Sequence, residues 1–122
     1  MFILDSSAII DVIHGNERGA KIVNIIGEEK TCITSISIHE ILLSEKETEM
    51  VTEFIEKSYT LNFEKDSAKI SAQIEKDLKK AGKMINKGDI FIAAICIQTN
   101  STLIACDNDF KKVNGLKSVI VD

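Results

Sequence analysis

The chain has no apolar run near the ~18 residues needed to cross a bilayer, and no signal-type segment opens it. A soluble, cytoplasmic protein with no membrane partner is expected. It has three cysteines, Cys32, Cys96 and Cys106, and none forms a C-x-x-C pair. That spacing argues against a disulfide framework or a structural zinc site. Each cysteine lies in an apolar stretch, so buried, reduced thiols are expected. Positive charge is not in excess: 15 Lys and Arg face 19 Asp and Glu, a formal net charge of −4. A general nucleic-acid coating protein is thereby disfavoured. An enzyme that gathers acids in a site and bases around it is not. No long polar or low-complexity tract signals disorder. The first turn is not glycine-rich, which removes phosphate-loop and dinucleotide-binding modules. What remains is 122 residues with an ordinary apolar fraction of 44%. That fits one domain, residues 1–122, burying roughly two-thirds of its unfolded surface.

The most informative stretch is Met1 to Asp11, MFILDSSAIID. Phe2, Ile3 and Leu4 make a short continuous apolar run, as in a strand buried on both faces. Asp5 ends that run. Ser6 and Ser7 are helix-capping types, and a helical apolar pattern over Ser7–His14 follows. Asp5 is thus expected at the carboxyl end of a central strand, the rim where open α/β sheets bind ligands. The plainer reading is that Asp5 only caps the helix. Asp11, one turn on, reads as a solvated surface acid.

Further along, helical spacing predicts a helix over Glu17–Ile26 with Ile22, Val23, Ile25 and Ile26 facing the core. A short strand is expected at Thr31–Thr34. In SISIHEILL, Ser35–Leu43, Ser35 or Ser37 can cap a helix. Ser37-x-x-Glu40 fits a capping box. Alternatively, Glu40 points from a mostly apolar helix into an acidic cleft, which is costly unless the carboxylate is paired or bound to a metal. His39 lies about 100° round the helix from Glu40 and reads as a surface or partly buried histidine. Glu45–Lys57 reads as an amphipathic helix burying Met50, Val51, Phe54 and Ile55, and Tyr59–Phe63 as a short strand. A long helix is expected over Lys65–Ala81, stopped by Gly82. Its basic end, Lys76 to Lys87, is either a solvated helix terminus favoured by the dipole or a phosphate-contacting patch. In NKGDIFIAAICIQTN, Asn86–Asn100, Asp89 stands at the amino end of a helix apolar all round, hence buried. Finally, TLIACDNDF, Thr102–Phe110, repeats the first motif: a buried strand ending in Asp107, with Asp109 close behind. A last strand is expected at Ser118–Val121.

Strands and helices alternate, which predicts a parallel sheet with helices on both faces. Asp5 and Asp107 end strands at one sheet edge, and Glu40 and Asp89 ride helices that reach it. Four neighbouring carboxylates repel too strongly to ionise unaided. Mg²⁺ or Mn²⁺, which prefer oxygen ligands, resolve this. Such an all-oxygen site suits phosphate-ester chemistry, activating water and stabilising the leaving oxygen. Two acid-dependent rivals lack their residues. A receiver domain needs adjacent acids after the first strand, and a haloacid-dehalogenase-type phosphatase needs a second Asp at position 7, which is serine.

FILDSSAIID, ISIHEILL, GDIFIAAICI and TLIACDNDF, in this order over nearly the whole chain, resemble the PIN-domain family, and within it the VapC-like toxin ribonucleases. The resemblance implies a single three-layer α/β/α domain with a central parallel sheet of about five strands. It implies a Mg²⁺- or Mn²⁺-dependent endoribonuclease. By resemblance, Asp5, Glu40, Asp89 and Asp107 are the catalytic acids, and Asp5, Asp89 and Asp107 the metal ligands. Asp109 is a reserve ligand for a position the family varies, and Ser6 orients a ligand or water. Water would attack an RNA phosphodiester in line, leaving 5′-phosphate and 3′-hydroxyl ends. The resemblance also implies a homodimer and a cognate antitoxin that covers the site. The apolar stripes near Ile22–Ile26 and Met50–Ile55 are either core or such interfaces. A PIN nuclease of RNA processing and a non-catalytic binding module are the alternatives.

Overall fold

A computed structural model describes residues 1–122. Five short strands form the sheet: β1 (Phe2–Leu4), β2 (Thr31–Thr34), β3 (Tyr59–Leu61), β4 (Thr102–Ala105) and β5 (Lys117–Ile120). All neighbours are parallel, in the order β3-β2-β1-β4-β5. The helices are α1 (Ser6–His14), α2 (Glu17–Ile26), α3 (Ser35–Ser44), α4 (Glu49–Lys57), α5 (Lys65–Ala81) and α6 (Lys87–Gln98), with a 3₁₀ turn at Asn108–Lys112. This is the expected three-layer α/β/α fold with five parallel strands.

The strand pattern decides which face meets which helices, because successive side chains point to opposite sides. Leu4, Ile33 and Ile104 turn to one face and pack with Ala8 and Ile9 of α1, Ile22 of α2, Ile41 of α3 and Val51 of α4. Ile3, Cys32, Leu103 and Ala105 turn to the other and pack with Ile92, Ile95 and Cys96 of α6 and with Phe110. Helix α6 is therefore sandwiched. Its outer side, Ile90, Ala93 and Ala94, is covered by Ile74 and Leu78 of α5. That explains its sequence, since a helix covered on both sides has no use for polar residues beyond its first turn.

The chain first builds β1, β2 and β3 outward in one direction, then returns to place β4 on the other side of β1. The order reverses between β1 and β4, so their carboxyl ends flank the crevice that such a reversal leaves. Leu4 pairs with Ile104 there, and the Asp5 N–H donates to the Ile104 carbonyl at 3.0 Å.

Several local expectations are corrected. Helix α1 begins at Ser6 rather than Ser7, because Asp5, as its plainer reading has it, and not a serine is the N-cap. Thr34 caps α3, its Oγ1 accepting from the Ser37 N–H at 3.1 Å, so Ser37-x-x-Glu40 is not a capping box. Helix α4 begins at Glu49 because Thr48 caps it, and Glu45 is extended. Val23 and Ile25 of α2 and Met50 of α4 are exposed, at 54%, 39% and 60%. Only Ile22 and Ile26, one turn apart, point from α2 to the core. Asp11 is buried rather than solvated. Its carboxylate accepts from Asn16 Nδ2 at 2.8 Å and from Arg18 Nε at 2.5 Å, with Cys106 Sγ at 3.5 Å. Arg18, the chain's sole arginine, thus fastens α2 onto α1. At the same contact Gly19 has no room for a side chain: a Cβ would lie 2.1 Å from the Asp11 carbonyl oxygen.

Candidate active site at the sheet rim

Asp5 is placed by β1 and by the start of α1. Its Oδ1 accepts the Ala8 N–H at 2.9 Å, which satisfies one of the helix's free donors. Both readings of this residue therefore hold: it caps the helix, and it stands at the rim. Only 4% of it is exposed. Oδ2 has no protein donor, and no fully buried side-chain oxygen in the chain lacks a partner, so Oδ2 opens to the crevice.

Glu40 reaches the same place from α3. Its Oε1 accepts the Ser6 hydroxyl at 2.5 Å, a bond that ties α3 to the first turn of α1. Ser6 thus stands beside the acids, holding one of them. Asp89 sits in the first turn of α6, which Asn86 starts by accepting the Gly88 N–H at 2.8 Å. Asp107 follows β4 and caps the 3₁₀ turn, its Oδ1 accepting the Asp109 N–H at 2.8 Å. Asp109 itself pairs with Lys112 at 2.9 Å.

These charges act on one another. Burial raises the Asp5 carboxyl to about 7, against the pull of the Ala8 hydrogen bond. The charges of Asp89, Glu40 and Asp107 add to the rise. Burial, then Glu40, Asp107 and Asp109, raise Asp89 to about 6. Asp107 thus acts on both Asp5 and Asp89, and Asp109 acts on Asp89. By contrast, Asp11 has a cation. Burial opposes its ionisation, but the hydrogen bonds from Arg18 and Asn16 and the Arg18 charge hold it below the usual carboxylate range.

None of the chain's six ion pairs involves Asp5, Glu40, Asp89 or Asp107. Four acids therefore stand near one another without an ion pair, and Arg18, whose charge reaches Asp5, is itself tied up with Asp11. This donor set is all oxygen, which fits a hard divalent cation better than zinc, whose protein ligands are mostly Cys and His. As they stand, no three Asp, Glu, His or Cys side chains form a closed metal-binding group. The nearby thiols add no soft ligand. Burial and then the Asp5 charge push Cys96 up to about 12 and Cys106 up to about 11, so both stay protonated. His39 is exposed on α3. Of the basic end of α5, Lys79 and the neighbouring Lys87 of α6 pair with Glu75 at 3.1 and 3.3 Å, outside the acid group.

An α/β/α domain with unpaired carboxylates at the switch point of a parallel sheet is the frame of a PIN domain. The chain belongs to that family, whose profile matches residues 2–116. Within it the chain is similar to Ribonuclease VapC3 of Methanocaldococcus jannaschii, 36% identical over 94 residues, which are 76% of this chain and 95% of that protein. The fold is shared with VapBC2 from Rickettsia felis, solved bound to a DNA fragment from its promoter. The TM-score is 0.85 at 18% identity, covering 99% of this chain and 98% of that one. FitAcB from Neisseria gonorrhoeae gives a TM-score of 0.77 at 24% identity, covering 97% and 96%.

Sequence reasoning had not foreseen the Ser6–Glu40 bond or the Asp11–Arg18 pair. Both join helices distant or reversed in sequence, and no periodicity reports such contacts. A lone arginine among fourteen lysines was the available signal for the second.

Proposed function

We infer that this chain is a divalent-metal-dependent endoribonuclease and the toxin of a type II toxin–antitoxin pair. One observation carries the chemistry: Asp5, Glu40, Asp89 and Asp107 meet at the sheet's switch point with no basic partner. The similarity to Ribonuclease VapC3 supports RNA as the substrate. Asp5 through Oδ2, Asp89 and Asp107 would hold Mg²⁺ or Mn²⁺, with Asp109 as an outer member of the set. When bound, the cation neutralises the carboxylates and polarises the phosphodiester and the attacking water.

The protein's own groups prepare that reaction. The Ala8 N–H fixes the Asp5 carboxylate, and β1 is locked to β4 beside it. Ser6 holds Glu40, whose charge acts on Asp5 and Asp89 and would add to the pull on the cation, and whose second oxygen, without a donor, can take the proton of the attacking water. Ile3, Leu103 and Ile92 pack into the buried core on one face of the sheet, which anchors the strand ends and the helix that carry Asp5, Asp107 and Asp89. Attack in line on the phosphorus leaves 5′-phosphate and 3′-hydroxyl ends.

Similarity to VapBC2 and FitAcB shows fold alone, but their assembly with partners motivates a cognate antitoxin for this chain. Exposed Val23, Ile25, Leu43 and Met50 offer apolar surface for it and for a second copy of the chain. No helix is long and apolar enough to cross a membrane, and cytoplasmic action on RNA accords with that. The test is cleavage of a mixed RNA panel with Mg²⁺ or Mn²⁺, with EDTA, and after metal is restored. Cutting that EDTA abolishes and metal restores, with 5′-phosphate ends, is expected. Cutting that persists in EDTA would overturn the reading.

A further inference from the structure

We propose that Gly88 is a positioning residue for Glu40, because its missing side chain leaves the space in which that carboxylate sits. The proposal rests on the reading of Glu40 as part of the nuclease site. A Cβ on Gly88 would lie 2.8 Å from Glu40 Oε2, 3.4 Å from its Cδ and 3.1 Å from Asn86 Oδ1. On its other side the Glu40 carboxylate accepts the Ser6 hydroxyl through Oε1. The group is therefore gripped between a hydroxyl on α1 and bare backbone on α6.

Nothing else at position 88 calls for glycine. Gly15, Gly27, Gly82 and Gly115 have positive φ, but Gly88 does not. It is the second residue of α6, in ordinary right-handed helix. There glycine is a poorer choice than alanine, because it gives up more backbone freedom on folding. Asn86 cannot readily yield to an added methyl, since its Oδ1 caps α6 through the Gly88 N–H. What yields is the free end of Glu40. That movement is easy for the fold and harmful to the site, so substitution should separate stability from function.

The experiment compares full-length wild type with Gly88→Ala, Glu40→Gln, Glu40→Asp and the double variant Gly88→Ala/Glu40→Asp. The readouts are the thermal midpoint in EDTA, the Mn²⁺ dissociation constant by electron paramagnetic resonance, and RNA cleavage resolved into kcat and KM. Gly88→Ala is expected to keep or raise the thermal midpoint. It should weaken Mn²⁺ binding roughly tenfold or more and lower kcat with little change in KM. Glu40→Asp should weaken Mn²⁺ binding in the glycine background. In the alanine background it should cost little more or restore part of the loss, because the shorter side chain withdraws from the new methyl. Wild-type Mn²⁺ affinity and kcat in Gly88→Ala, with both reduced in Glu40→Gln, would overturn the role of Gly88 alone. So would equal effects of Glu40→Asp in the two backgrounds. If Glu40→Gln leaves affinity and cleavage unchanged, the reading of Glu40 fails and the proposal fails with it.

Discussion

Replacing Asp5 by asparagine should destroy activity and stabilise the protein. Burial and three neighbouring acids move its carboxyl from the ordinary 3.8 to about 7. A raised acid binds its proton more tightly in the folded chain than in the unfolded one. Between pH 4 and pH 7 the folded state therefore holds more protons, and stability falls as pH rises. Well above pH 7 that rise amounts to a cost on the order of 4 kcal/mol. Asparagine removes the charge and keeps an oxygen that can accept the Ala8 N–H. In EDTA at pH 8, Asp5→Asn should gain much of that amount, about 2–4 kcal/mol, read as a higher urea midpoint at unchanged slope. At pH 4, where wild-type Asp5 is itself protonated, the gain should shrink to near zero. Saturating Mn²⁺ should stabilise wild type and not the variant. An Asp5→Asn protein that is no more stable than wild type at pH 8, or whose gain is the same at pH 4, would refute the reasoning.

Three other outcomes are expected. Protons compete with metal for Asp5 and Asp89, held up to about 7 and about 6. The apparent Mn²⁺ affinity should therefore fall steadily as pH drops from 8 to 5, which calorimetric titration at several pH values would check. Ser6→Ala frees Glu40 Oε1 from its donor and should cut cleavage about 10–100-fold. The thermal midpoint should hardly move, since the bond is only part-buried. Asp11→Ala strips Arg18 and Asn16 of their shared acceptor. It should cost about 1–3 kcal/mol in urea unfolding while leaving Mn²⁺ affinity near wild type, because Asp11 is outside the acid group.

Much of the architecture was legible because the local signals were unmixed. Helix α5 runs from Lys65 to the residue before Gly82, as its spacing and stop residue require. The strands at Thr31 and Thr102 are short, β-branched or apolar, and buried on both faces. What escaped was set by partners distant in sequence. Ser37 and Glu40 have capping-box spacing, but Thr34 supplies the cap, and Ser6 claims the glutamate. Asp11 is an acid on an amphipathic helix, and only the return of α2 brings Arg18 to bury it. Val23, Ile25 and Met50 count as core by type, yet α2 and α4 turn other residues to the core, Ile22 and Ile26 on α2 and Val51, Phe54 and Ile55 on α4, and leave these three exposed. At the site, two strand-end acids and two helix acids were readable as residues. That Asp5 faces the crevice with one oxygen while capping α1 with the other needed coordinates.

The most direct measurement is RNA cleavage by wild type, Asp5→Asn and Asp89→Asn side by side in Mn²⁺, each confirmed folded by its unfolding transition. Cutting by wild type and loss in both variants is the expected result. Cutting by either folded variant at the wild-type rate would contradict the acid crevice as the site of phosphodiester hydrolysis.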